Sequence, residues 1–182
     1  MSQAEHKARA PQSVRCFILT ISDTRTEDTD TSGRAIADLL VTSGHQVAGR
    51  TIVKDDPDLV RSTIERQLAA PDVHAIITTG GTGITSRDST YEAVNGLLQK
   101  RLDGFGELFR MLSYQKIGTS TMQSRALAGV ARGTYLFALP GSTGAVKDAW
   151  DDILLFQLDN RHRPCNLVEL MPRLQEHLNA AE

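Results

Sequence analysis

Apolar positions along the chain follow two rhythms. Nearly continuous hydrophobic runs at Val14 to Ile21, His74 to Thr79 and Thr134 to Leu139 read as strands covered on both faces, and Gln46 to Val53 fits a further strand. Between the runs, apolar residues recur every three or four positions. Ile36, Leu39 and Leu40 predict a helix from about Ser32 to Ser43, stopped by Gly44. Val60, Ile64 and Leu68 predict a second, with Asp56 as its cap and Pro57 at the first helical position. Val146, Trp150, Ile153 and Leu154 predict a last long helix that starts after Gly141-Ser142-Thr143 and runs to about Leu158. Strands alternating with helices predict an α/β domain around a largely parallel sheet.

This order has a consequence for function. Ser22-Asp23-Thr24, Asp55-Asp56, the stretch from Gly80 to Asp88, and Pro140-Gly141-Ser142-Thr143 each follow a strand directly. In a parallel sheet those ends share one edge, and ligands of open α/β sheets bind there. Gly80, Gly81 and Gly83 allow a turn whose successive N–H groups form an anion cradle. Ser89-Thr90-Tyr91-Glu92 has the form of a capping box ahead of Val94, Leu97 and Leu98, so a helix starting near Ser89 is expected to aim its positive end at the same turn. Two common phosphate motifs fail here: no lysine occurs between Lys54 and Lys100, and the dinucleotide pattern is broken by Ser86. A tight strand-to-helix turn without a ligand is the plain alternative.

Asp88 changes that balance, because a carboxylate beside a phosphate cradle calls for a cation between them. A magnesium nucleotide satisfies both, although an acid near a helix N-terminus also has a purely structural use. Convergence of four loops favours the chemical reading for Asp88 and Asp55, and leaves Asp56 as a cap. Gly141 and Ser142 form a second anion loop, with Lys147 one turn into the following helix either as a point charge or as a solvated surface lysine. Two phosphate-type loops around an acidic centre predict a nucleotide paired with a phosphorylated small molecule.

Composition limits the alternatives. A chain of 182 residues, 40% hydrophobic and 23% charged, suits one well-buried domain over residues 14–182, with residues 1–13 expected to be a flexible polar tail. A net charge of −2 gives no footprint for nucleic acid. No apolar run is long enough to span a bilayer, and the polar start lacks a signal-peptide core, so a cytoplasmic protein is expected. Cys16 and Cys165 form no Cys-x-x-Cys pair and are expected to be reduced. His6, His45, His74, His162 and His177 lack zinc-ligand spacing. A flavin module is disfavoured by the shortage of aromatics for stacking.

The run Ile76-Ile77-Thr78-Thr79-Gly80-Gly81-Thr82-Gly83, the Arg87-Asp88 pair, Gly104-Phe105-Gly106-Glu107 and Leu139-Pro140-Gly141-Ser142 occur together in the molybdopterin-binding family that includes MoaB and MogA. From Val14 to about Val168 the chain resembles that family in motif order and spacing. The stretches from Gly104 to Ser113, Ile117 to Thr121 and Arg163 to Asn166 bring it nearest to the family's B branch. The resemblance implies a three-layer α/β sandwich assembled as trimers or hexamers. It also implies transfer of AMP from Mg-ATP to the terminal phosphate of molybdopterin, with release of pyrophosphate. On this reading Asp55 and Asp88 hold Mg²⁺ against the ATP phosphates, and Gly80, Gly81, Thr82 and Gly83 contact the nucleotide through main-chain N–H groups. Gly141, Ser142 and Lys147 hold the pterin phosphate, and Ser22 lies in the same cleft. The alternative is a pterin-binding or partner-binding protein of the same pathway without turnover; other enzymes of that pathway are implied partners. Phe105, Leu108, Phe109 and Leu112 form an apolar stripe at helical spacing, which serves either core or, following the family's oligomeric habit, subunit contact across Gly104 to Gly133.

Overall fold

The computed structural model describes residues 10–176. Six strands form one sheet in the order β2-β1-β3-β6-β5-β4. They are β1 (Arg15–Ile21), β2 (Gln46–Val53), β3 (Ala75–Thr79), β4 (Lys100–Arg101), β5 (Leu127–Ala131) and β6 (Thr134–Leu139). β2, β1, β3 and β6 run parallel, whereas β5 is antiparallel to β6 and β4 antiparallel to β5. The helices are α1 (Thr31–Thr42), α2 (Pro57–Leu68), α3 (Thr90–Asn95), α4 (Asp103–Ile117) and α5 (Thr143–Ala149).

Alternation along the strands builds two cores. Cys16 and Ile18 of β1, Ile77 of β3 and Phe137 of β6 pack with Ile36 and Leu40 of α1, Phe109 of α4 and Val146 of α5. Phe17, Leu19, Ile76 and Leu136 point the other way, onto Val60 and Ile64 of α2 and Val94 of α3. Burial on both faces is why these strands read as unbroken apolar runs. The expected three-layer α/β sandwich is therefore the architecture observed. Desolvation in the first core pushes the Cys16 thiol up to about 12, which keeps it protonated and inert.

The caps follow the sequence closely. Asp56 accepts from the N–H groups of Asp58 and Leu59 at 3.0 and 2.9 Å, with Pro57 opening α2. Asp30, fully buried, caps α1 by accepting from the Gly33 N–H at 2.9 Å and also takes the Thr20 hydroxyl at 2.9 Å.

One expectation needs correction, and two features go beyond what the sequence predicts. Ser89 stands at the cap position of the 6-residue α3 but makes no side-chain cap, because its hydroxyl is drawn to a carboxylate across the crevice. β5 was not expected: Leu127-Ala128-Gly129-Val130-Ala131 is made of small apolar residues without polar alternation, yet all five are buried in the sheet. Arg132 and Gly133 join β5 to β6, with φ of 49° and 80°, a two-residue connection of the kind that suits strand twist. This strand, with Phe105 and Phe109 of the apolar stripe, belongs to the core. The last helix is continuous but not uniform: α5 passes into a π-helical turn over Trp150–Leu154 before Leu155–Gln157. Trp150, Ile153 and Leu154 are nevertheless all buried, as their spacing predicts.

Of the expected tail, residues 1–9 with His6 lie outside the described residues, as does His177. Ala10 packs against the first core, and the Pro11 carbonyl accepts from Asn160 Nδ2 at 3.1 Å.

Candidate functional site

The carboxyl ends of β2, β1, β3 and β6 lie side by side, and their loops are fastened in pairs. The Ser22 N–H donates to the Val53 carbonyl at 2.9 Å, and the Gly80 N–H donates to the Leu139 carbonyl at 3.0 Å. Thr79 Oγ1 donates to the Pro140 carbonyl at 3.0 Å. A Cβ on Gly141 would lie 3.2 Å from the Gly80 Cα, so the two glycine loops touch.

Gly80 and Gly81 have φ of 102° and 63°, and each needs to lack a side chain. A Cβ at Gly80 would meet the Ile21 carbonyl oxygen at 2.2 Å; one at Gly81 would meet Thr90 Oγ1 at 2.2 Å and Asp55 Oδ2 at 2.7 Å. Gly81 thus brings a carboxylate and a hydroxyl against the main chain. The Thr90 hydroxyl is fully buried and has no hydrogen-bond partner among the described residues. The N–H groups of Gly81 and Thr82 likewise have none.

Asp55, at the end of β2, is held from two sides. Its Oδ1 accepts from the Ser89 hydroxyl at 2.6 Å and the Ser89 N–H at 3.1 Å, which leaves Oδ2 facing Gly81. Its own N–H donates to Asp23 Oδ1 at 3.2 Å. Asp23 in turn pairs with Arg87 at 2.6 Å, and that hydrogen bond holds its carboxyl below the usual range. A chain of polar contacts therefore crosses the crevice from the first loop to the third.

Asp88 is arranged differently. Its Oδ2 accepts from the Thr85 N–H at 2.8 Å and the Thr85 hydroxyl at 2.6 Å. Partial burial works to raise its pKa, but the Thr85 hydroxyl and amide, the Gly83 amide and the nearby Arg125 charge together bring it below the ordinary value. The structure joins the two acids through Ser89, the residue that follows Asp88. No group of three or more His, Cys, Asp or Glu side chains among the described residues forms a metal site by itself. The oxygens that meet at Gly81, Asp55 Oδ2 and the Thr90 hydroxyl, are of the kind that suits a hard cation, whereas Asp88 lies at Gly83.

The remaining expected residues sit around this centre. Ser22 Oγ accepts from the Thr24 and Arg25 N–H groups at 3.3 and 3.1 Å, a local turn. Ser142 Oγ accepts from the Ala145 N–H at 3.1 Å and caps α5. Lys147 is exposed and makes no ion pair among the described residues. A cavity of about 390 Å³ opens beside Ser22, Asp23, Arg50 and Lys54, next to Asp55 rather than over the glycine turn.

Residues 17–160 match a family model described as a probable molybdopterin binding domain. The chain belongs to this family. Its relatives include molybdenum cofactor biosynthesis protein B of Halalkalibacterium halodurans, 51% identical over 159 residues that cover 87% of this chain and 94% of that protein. The protein of the same name from Escherichia coli is 48% identical over 152 residues, 84% of this chain and 89% of that one. Among solved structures, a molybdenum cofactor biosynthesis protein B superposes with a TM-score of 0.82 at 44% identity, covering 92% of this chain and 99% of the other. The tungsten cofactor synthesizing protein MoaB from Pyrococcus furiosus gives 0.72 at 36% identity, over 80% and 92%. The family resemblance drawn from the four motifs is the one these matches show.

Sequence reasoning passed over Arg125, two residues before β5. Its Nε donates to the Thr82 carbonyl at 3.2 Å, its fork pairs with Glu92, and its guanidinium lies 4.8 Å from the centre of the Tyr91 ring. No local motif marks it, because the antiparallel strand that delivers it was itself unrecognised.

Proposed function

We propose that this protein acts in molybdenum cofactor biosynthesis by transferring AMP from ATP to the terminal phosphate of molybdopterin. The observation that carries the reading is the open group at Gly81: Asp55 Oδ2 turned toward the turn by Ser89, the unpartnered Thr90 hydroxyl, and two free main-chain N–H groups. Amides recognise phosphate oxygens, and a carboxylate oxygen beside them calls for a cation. Mg²⁺ bound there by Asp55 and Asp88 would offset charge on the phosphates. The cavity beside Ser22 and Lys54 falls within the range of small-molecule sites and takes the part of the nucleotide that extends past the turn. Gly141 and Ser142 on the adjoining loop, with Lys147 in α5, receive the pterin phosphate.

The chemistry needs little more. A phosphate oxygen of the pterin attacks the α-phosphorus of ATP, the bond to the β-phosphate breaks, and pyrophosphate leaves. The attacking group is already anionic at neutral pH, so no general base is required. The protein's contribution is position and charge. Pterin binding without turnover is the second reading, and it draws on Asp88, whose Oδ2 is already engaged by Thr85.

Purified protein given molybdopterin and Mg-ATP is expected to release pyrophosphate and form adenylylated pterin in equal amounts, followed together by chromatography. Tight pterin binding with neither product would support the second reading instead. We also read the protein as a homo-oligomer, because α4 exposes Leu108, Met111, Tyr114 and Ile117, with Met122 beyond them. Met111→Glu is expected to reduce the mass seen by light scattering; an unchanged mass, or a wild-type monomer, counts against that surface.

A further inference from the structure

A trans peptide unit points its carbonyl and its N–H in opposite directions, so groups that hold the two ends fix the whole plane. At Thr82–Gly83 the carbonyl end is held by Arg125 Nε at 3.2 Å. The other end faces Asp88: the Gly83 amide lowers that carboxyl's pKa, and a Cβ on Gly83 would lie 2.7 Å from Asp88 Oδ2. One peptide plane therefore stands between a guanidinium and the acid. Arg125 is itself aimed in advance. Its Nη1 and Nη2 engage both oxygens of Glu92 on α3, it lies against Tyr91, and its side chain is only 25% exposed. The fork leaves Nε directed at Thr82, a division of donors that a single lysine ammonium cannot reproduce.

We propose that Arg125 is a positioning residue of this site, orienting the Thr82–Gly83 peptide so that Asp88 and the free amides of Gly81 and Thr82 keep their places. Its effect on turnover rests on the adenylyl-transfer reading; its effect on the loop does not. Two variants separate these. In Arg125→Ala, hydrogen exchange of the amides from Gly83 to Ser89, read by mass spectrometry on the free protein, is expected to quicken about tenfold, one hydrogen bond's worth. In both Arg125→Ala and Arg125→Lys, kcat is expected to fall about a hundredfold while the molybdopterin dissociation constant stays within about twofold, as for misplacement rather than lost binding. Added guanidinium is expected to restore part of the rate in Arg125→Ala. Unchanged exchange overturns the proposal whatever the activity, as does Arg125→Lys with wild-type kcat or loss of folding in both variants. Faster exchange in a protein whose wild type shows no turnover upholds the positioning and sinks the adenylyl-transfer reading alone.

Discussion

At the amino ends of β1, β2 and β3 two imidazoles close the sheet, whereas at the carboxyl ends carboxylates and amides stand open. His45 Nδ1 accepts from the Val14 N–H at 3.2 Å, and His74 Nδ1 accepts from the Arg15 N–H at 3.0 Å. Both rings thus complete main-chain bonding where β1 enters the core. At the other end Asp55 Oδ2, the Thr90 hydroxyl and the amides of Gly81 and Thr82 lack such partners among the described residues. Polar groups bonded within the fold maintain it; those held in place but left open are available to a ligand. The same sheet carries both arrangements because parallel strands place every following loop at one end.

The comparison can be broken most sharply at Asp88. Asp88→Asn keeps an acceptor for Thr85 and removes the charge, so turnover is expected to fall about 10²–10³-fold while the unfolding midpoint barely moves. Near-normal turnover would remove the metal-centred role. Gly81→Ala strikes geometry rather than charge: the new Cβ meets Thr90 and Asp55 at a φ of 63°, and a loss of about 2–3 kcal/mol in denaturant stability is expected. Stability equal to wild type would mean that the turn is free to rearrange. Ser89→Ala is milder, expected to cost about 1 kcal/mol and to weaken Mn²⁺ binding measured by spin resonance; unaltered Mn²⁺ binding would show that Asp55 needs no such support.

The closed end should answer to pH instead. Burial lowers the pKa of both His45 and His74 below 6.5, against opposing pulls from Asp159 and Asp72, and Arg15 adds to the lowering at His74. Below about pH 6.5 the unfolded chain takes up protons that the folded rings refuse, so stability is expected to fall with pH until the folded values are reached. Urea midpoints between about pH 7 and pH 5 test this, and His45→Gln with His74→Gln should flatten the slope. A slope that persists in the double variant would assign it to other groups.

How much of this was legible varied with the range of the interactions. α2 was readable in its start and its buried face, since Asp56, Pro57, Val60 and Ile64 act within one helix. Ser89 misled because a hydroxyl three residues before Glu92 fits a cap, and only the approach of β2 offers it Asp55. Arg125 carried no signal, as its partners lie at Thr82 and Glu92, far back in the chain.

Sequence by itself determined the four parallel strands, the helices α1, α2 and α5, the four loops at one edge and the motifs that place the chain in its family. Periodicity and turn chemistry are local, so one dimension records them. Tertiary structure decided which oxygen of Asp55 faces Gly81, that Asp88 is engaged by Thr85, and that Arg125 reaches the glycine turn. Those outcomes depend on competition among donors and acceptors that meet only after the sheet has formed.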